Sequence, residues 1–111
     1  MSFDHARWGW RQVSSEDVPG IVAFLSEMER LTWKEIFDQQ TGEGRRGQKH
    51  KFIPIDGCIH DAQSGLSDLE MDDESDSWFR FRLGGKKRLW GILKVPHFYP
   101  VWWDPEHEIC P

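Results

Sequence analysis

The sequence lacks long apolar runs and has few cysteines. No stretch approaches the roughly 18 apolar residues that a membrane-spanning helix needs. The start, residues 1–5, has neither the charged nor the apolar region of a signal peptide. We therefore expect a cytoplasmic protein without membrane contact. Two cysteines, Cys58 and Cys110, are too few to stabilise a small secreted domain, and we expect both to be free thiols.

The sequence also lacks a complete nucleotide-binding motif. Gly42, Gly44 and Gly47 have the spacing of the dinucleotide fingerprint, but that fingerprint needs a strand before it and a helix after it. Here a predicted helix precedes and a proline-containing strand follows. We expect no cofactor and interpret residues 41–51 as a glycine-rich basic loop. The loop cations that are candidates for phosphate contact are Arg45, Arg46, Lys49 and Lys51.

Aromatic residues are abundant, with seven tryptophans and seven phenylalanines among 111 residues. Large rings bury much area with little side-chain entropy to lose, so a small core can be stable. The length suits one domain, residues 1–111. Charge is divided unevenly: residues 1–77 hold 8 Lys or Arg and 16 Asp or Glu, while residues 78–111 hold 6 and 3. Cations therefore concentrate in the C-terminal third.

The N-terminal two-thirds favours helices. Residues 8–13 alternate like a short strand, and Pro19 suits a first helical turn. An apolar stripe predicted to face the core comprises Val18, Ile21, Val22, Leu25 and Met28. A capping box, Thr32 with Glu35, predicts a second helix from Trp33 to about Gln40. A third helix, with Asp56 as its cap, is marked by Ile59, Ala62, Leu66 and Leu69.

The C-terminal third predicts antiparallel strands. Residues 78–83 and 88–93 flank a glycine pair, which is typical of a hairpin. A three-residue loop, 84–86, sets Phe81 opposite Leu89 and Arg82 opposite Arg88. Apolar side chains then share one face of the hairpin and the arginines share the other. Residues 97–103 form a further strand, with Pro100 at an edge or bulge, and residues 51–55 form a short edge strand. The fold class is therefore α+β: two to three N-terminal helices packed on an antiparallel sheet whose C-terminal three strands form a meander.

The polar side of the hairpin is the main candidate site. Arg80, Arg82, Arg88 and Trp90 share one side, where guanidinium groups can lie over the indole and present forks to phosphate or carboxylate. Trp103, with Trp90, is a candidate partner contact. The alternative is that the arginines form a solvated surface.

A second candidate lies near the C-terminus, where Asp104 and His107 are three residues apart. A carboxylate that orients an imidazole supports acid–base catalysis near neutral pH. The alternative is that Asp104 caps the turn through residues 106 and 107. A tetrahedral zinc site is a further alternative, with the ligand types supplied by Cys58, His60, His107 and Cys110. We expect no metal, because the Cys-x-His spacing is tighter than in ordinary fingers.

The chain resembles a family of small uncharacterised bacterial and phage-borne proteins. The resemblance rests on an Arg-x-Trp-Gly strand (88–91) and a Trp-Trp-Asp-Pro-Glu-His segment (102–107). It extends loosely over most of the chain and implies no activity.

The predicted architecture is also similar to RelE/ParE-type toxins, some of which cut ribosome-bound messenger RNA. That similarity implies that Arg80, Arg82 and Arg88 stabilise phosphate charge and that His107 acts as acid or base. The net charge of −5 departs from the basic character of RNA-cutting toxins. The other hypothesis is a non-enzymatic interaction module that binds an antitoxin or a host protein through an exposed Trp/Arg surface.

Overall fold

The computed structural model describes residue 5 and residues 7–40 and 49–111, and it shows an α+β fold. The helices are α1 (Val18–Met28), α2 (Trp33–Asp38) and α3 (His60–Asp68). The strands are β1 (Lys51–Phe52), β2 (Trp78–Arg82), β3 (Arg88–Lys94) and β4 (His97–Asp104). They form one antiparallel sheet in the order β1-β2-β3-β4, so the predicted C-terminal meander is confirmed. The glycine string and Arg45 and Arg46 lie outside the described residues.

Helices cover both faces of the sheet. Buried side chains of α1 and α2, among them Ile21 and Ile36, pack with Phe79 and Phe81 on one face. Ala62 and Leu66 of α3 pack with a cluster on the other face that includes the rings of Trp78, Trp90 and Trp102. Trp102 and Trp103 are 0% and 3% exposed, on opposite faces. Within the part of the chain that is described, no helix is long and apolar enough to span a membrane.

The residues at the starts of α2 and α1 bond in different ways: those of α2 bond to their own helix, and that of α1 bonds to distant parts of the chain. At α2, Thr32 and Glu35 form both bonds of the predicted capping box. At α1, Asp17 makes no capping bond, because its carboxylate accepts the Trp103 indole N–H at 3.0 Å and pairs with Lys87 at 3.1 Å. Tertiary partners therefore take the side chain that occupies the N-cap position of α1.

The predicted stripe of α1 is partly wrong. Ile21 and Met28 are buried, but Val18 and Val22 are 46% and 58% exposed. Phe24 turns inward instead and meets the Phe81 ring edge-on at 5.4 Å. A large aromatic contact buries more apolar area than a valine, which accounts for the rotation.

Two further local predictions are corrected. Residues 8–13 contain no strand: Trp10–Gln12 is a 3-10 turn, and the backbone of Trp8 contacts β4 through one bond, from the Trp103 N–H at 3.1 Å. Asp56 lies in another 3-10 turn, Ile55–Gly57, and Ile59 occupies the N-cap of α3. In both places a 3-10 turn stands where the sequence predicted a different local structure.

The β2–β3 hairpin has the predicted register. Phe81 lies opposite Leu89 and Arg82 opposite Arg88. The Leu83 N–H donates to the Lys87 carbonyl at 2.9 Å, which closes a loop over residues 84–86. Gly85 adopts φ +63°, a left-handed conformation that favours glycine. The glycine pair thus fixes which side chains share a face.

Candidate functional site: a basic face at one end of the sheet

The hairpin register brings the three predicted arginines together. Arg80 lies opposite Trp90, and Arg82 opposite Arg88. Because side chains alternate along a strand, all four lie on the face covered by α3. Arg80 and Arg82 each lower the pKa of Arg88, and Arg82 lowers that of Arg80. The predicted grouping of the arginines is confirmed.

Two of these arginines are buried. Arg80 is 8% exposed and donates from Nη2 to the Lys49 carbonyl at 3.2 Å. Arg88 is 4% exposed and donates from Nη1 to the carbonyls of Gly85 and Lys87 at 2.9 and 3.0 Å. Among the described residues, their Nε atoms have no hydrogen-bond partner. The pKa of Arg88 falls to about 10, chiefly through burial, so it stays cationic at neutral pH.

Lys51 in β1 and Lys49 just before it lie beside the arginines. Lys51 pairs with Arg80 in the sheet, and Lys49 supplies the carbonyl that Arg80 binds. Both lysines and Arg82 are partly exposed, so they form the accessible rim above Arg80 and Arg88. We call the set of Lys49, Lys51, Arg80, Arg82 and Arg88 the basic face. Lys49 and Lys51, two of the four loop cations, thus lie near the hairpin arginines.

Among the described residues, little negative charge pairs with the basic face, although Glu16 and Glu27 lie across a cavity from Lys49 and Arg82. Across the described residues, the ion pairs involve none of its five members. Asp104 lies opposite Arg88 in the sheet and is the acidic neighbour on β4. Its oxygens are occupied by backbone donors: Oδ1 accepts the Glu108 N–H at 2.9 Å and Oδ2 the Ile109 N–H at 3.0 Å. Asp104 keeps its negative charge and offsets part of the positive charge of Arg88, while the face as a whole has no ion-pair partner among the described residues.

Asp104 is a turn cap, and the prediction that it orients His107 is not supported. It is 0% exposed, and the described contacts of its carboxylate are with the two backbone N–H groups. The chain after β4 folds back over its own end, so the nearest donors are amides of the turn and not the ring three residues on. The capping alternative is the one that the geometry supports.

His107 lies at the edge of the basic face. It is half-buried in a left-handed turn with φ 57°. Burial lowers its pKa below 6.5, Arg88 and Arg80 lower it further, and Asp104 and the Cys110 backbone oppose the change. The imidazole is therefore mostly neutral at pH 7, in the form that accepts a proton.

No family model, curated protein or solved structure matches this chain. The site is therefore interpreted from its own geometry.

The predicted tryptophan contacts are buried. Trp90 and Trp103 are 0% and 3% exposed, so neither presents surface to a partner. Trp90 stacks on Trp78, with ring centroids 5.4 Å apart. The cation–π contact found among the described residues is Arg7 over Trp8, at 4.5 Å, and not an arginine of the hairpin over Trp90. The interaction hypothesis thus loses the aromatic surface on which it relied.

The residues of the predicted zinc alternative do not converge. His60 is exposed on α3, and its Nε2 lies 3.2 Å from the Ser64 hydroxyl. In the described ranges no three His, Cys, Asp or Glu side chains are placed to hold a metal ion. Cys58 and Cys110, in contrast, are neighbours.

A cavity of about 560 Å³ adjoins the basic face. Lys49 and Arg82 line one side of it, and Glu16 and Glu27 line the α1 side. The acidic wall repels phosphate. The open basic face, and not this cavity, is the surface suited to an anion.

The contribution of β1 to the site was missed by sequence reasoning, because only sheet pairing places Lys51 beside Arg80. The signal available in the sequence was the predicted edge strand that begins at Lys51, but nothing in it named the partner strand. Lys49 and His50 precede β1, so strand alternation does not set their sides.

Proposed function

We propose that this protein binds RNA through the basic face and acts as a RelE-like toxin on RNA or the translation machinery. The observation that carries the proposal is the group of five cations at one end of the sheet, none of which has an ion-pair partner among the described residues. Phosphates supply the complementary charge. The proposal places the protein in the cytoplasm, with RNA or the ribosome as partner.

The two layers of the face have different roles in this proposal. Arg80 and Arg88 are held on backbone carbonyls and contribute a fixed positive potential. Lys49, Lys51 and Arg82 are accessible and contact phosphate directly. The basic face itself carries no aromatic ring for base stacking, so we expect affinity with little sequence preference.

His107 supplies acid–base chemistry in the toxin form of the proposal. Its neutral imidazole accepts the proton of a ribose 2′-hydroxyl, while the neighbouring guanidinium groups stabilise the charge that develops on the phosphate. Asp104 contributes by holding the turn that carries the imidazole.

Fluorescence anisotropy with labelled single-stranded RNA tests the binding step. We expect Arg82→Ala or Lys51→Ala to weaken binding roughly three- to tenfold and to reduce the slope of log affinity against log salt by about 0.7 each. Lys34→Ala is the matched control, since it removes one cation from an exposed i,i+4 pair with Asp38 on α2. Equal affinities for all three variants and the wild type would contradict the proposal.

Expression in bacteria tests the catalytic step separately. We expect the wild type to arrest growth and cleave RNA, and His107→Ala to lose both effects while it keeps RNA affinity. His97→Ala is the control, because this histidine is exposed at the far end of β4. A wild-type protein that binds RNA but is harmless at high levels would remove the toxin function and retain the binding function.

A protein partner is the second candidate. The observation that favours it is an apolar groove of about 450 Å³ on the face opposite the cations, lined by Trp33, Phe98 and Tyr99, among others. Trp33 and Phe98 are half-buried and give the groove its aromatic edge. A complex recovered by pull-down, lost with Trp33→Ala and unaffected by His107→Ala, would favour this function over RNA binding.

A further inference from the structure

We propose that Cys58 and Cys110 close a reversible disulfide that links the C-terminal turn to the segment before α3. Both thiols are free in the structure. The pair does not depend on the basic face, so this inference stands apart from the proposed function.

Backbone contacts set the two cysteines opposite each other. The Ile59 N–H donates to the Ile109 carbonyl at 2.9 Å. The Cys110 Sγ lies 3.3 Å from the Gly57 carbonyl oxygen, on the other side of Cys58. The two contacts place Cys58 and Cys110 next to each other, each one residue from the bond that joins residues 59 and 109. A disulfide requires Cα atoms about 4.4–6.8 Å apart, a separation that neighbouring segments in hydrogen-bond contact allow.

The two thiols also influence each other electrostatically. Burial raises the pKa of the Cys58 thiol, and the neighbouring Cys110 thiol raises it further through charge and hydrogen bonding. Cys58 is 7% exposed, whereas Cys110 is half-buried near the end of the chain. Cys110 is therefore the thiol that an oxidant reaches first, and Cys58 is the resolving thiol beneath it.

The chemistry balances with hydrogen peroxide as oxidant. The Cys110 sulfur attacks one peroxide oxygen: an S–O bond forms, the O–O bond breaks, and one water leaves, which gives a sulfenic acid. The Cys58 sulfur then attacks the Cys110 sulfur: an S–S bond forms, the S–O bond breaks, and a second water leaves. Two thiols lose two electrons and two protons, and the peroxide becomes two waters. A reducing thiol reverses the change by exchange.

A link between positions 58 and 110 closes a long loop of the chain. It includes β2, β3 and β4, so the bond constrains the unfolded state strongly. His107 lies within the turn that the bond closes. In a reducing cytoplasm the pair stays open, and it closes under oxidative stress.

Titration of the full chain with hydrogen peroxide tests the proposal. We expect both thiols to disappear together, the intact mass to fall by two hydrogens, and a non-reduced digest to contain a peptide pair joined at 58 and 110. Dithiothreitol restores both thiols. The oxidised protein melts about 5–10 °C higher than the reduced one.

Cys110→Ser is the control, and it keeps the test valid if Cys58→Ser fails to fold. We expect this variant to show no linked peptide and no rise in melting temperature with peroxide. Addition of oxygen atoms to the wild-type thiols without a linked peptide would overturn the proposal. So would a disulfide formed only between two chains.

Discussion

At the scale of single residues, His50 shows how burial changes a side chain next to the basic face. Its Nδ1 accepts the Arg82 N–H at 3.0 Å, and its Nε2 lies 3.1 Å from the Gln39 Oε1. Nδ1 must therefore be unprotonated, and Nε2 carries the hydrogen. Burial, followed by Lys49 and Arg80, lowers the pKa of His50 to about 4.

This pKa predicts a loss of stability in mild acid. Below pH 6.5 the unfolded chain binds a proton at position 50, while the folded chain remains neutral down to about pH 4. The contribution of His50 to the free energy of unfolding is thus complete above pH 6.5. About 2–3 kcal/mol of it is lost on acidification to about pH 4.5. Urea unfolding above pH 6.5 and at about pH 4.5 should show a smaller loss in the free energy of unfolding for His50→Gln than for the wild type.

His97→Gln is the matched control for that experiment, because His97 is exposed on β4. We expect its loss of stability to follow that of the wild type. If His50→Gln and the wild type lose stability equally between the two pH values, His50 is not the group responsible.

At the scale of elements, the β3–β4 pairing depends on one glycine. Trp90 lies opposite Trp102 and Gly91 opposite Pro100, so the register shifts there by one residue. This bulge brings the Tyr99 carbonyl oxygen and the Phe98 ring over the Gly91 Cα, where a Cβ would collide with both. Phe98 itself packs on Phe81, with ring centroids 4.8 Å apart.

Gly91→Ala should therefore destabilise the fold strongly. The added methyl meets backbone as well as a packed ring, so β4 must shift, and we expect a loss of roughly 2–4 kcal/mol in the free energy of unfolding. Gly84→Ala is the control, since a Cβ at Gly84 meets no atom within 4 Å. Urea denaturation measures both. A loss at Gly91 no larger than at Gly84 would contradict the bulge geometry.

At the scale of the whole molecule, charge is separated. The chain carries a net charge of −5, yet five cations gather on the basic face. Much of the acid lies elsewhere, including residues 68–76 between α3 and β2. A field of this kind attracts polyanions to one side of an acidic protein.

Chromatography tests this separation. Near neutral pH and low salt, we expect the wild type to bind both an anion exchanger, through its net charge, and heparin, through the basic face. A triple variant combines Lys49→Ala, Lys51→Ala and Arg82→Ala. It should elute from heparin at lower salt than the wild type and bind the anion exchanger more tightly. A control with the same charge change comprises Arg30→Ala, Lys34→Ala and Lys94→Ala, and should keep its heparin retention. Equal loss of heparin retention in both would contradict a localised face.

The sequence by itself determined the local features. The glycine pair with alternating side chains fixed the hairpin register, and Thr32 with Glu35 fixed the start of α2. These features involve residues close in the chain, where turn geometry and capping bonds act without help from the rest of the fold. The shared side of Arg80, Arg82 and Arg88 follows from the same alternation.

Only the tertiary structure decided what covers each side and what each polar group binds. Alternation puts Trp90 beside the arginines but cannot show that α3 buries that side, because the covering helix is distant in sequence. Asp104 became a turn cap and Asp17 a partner of Trp103, since the nearest donors came from the folded chain. Lys51 lies beside the arginines because β1 pairs with β2. The helix α3 separates these two strands in the sequence, so no local pattern specifies their pairing.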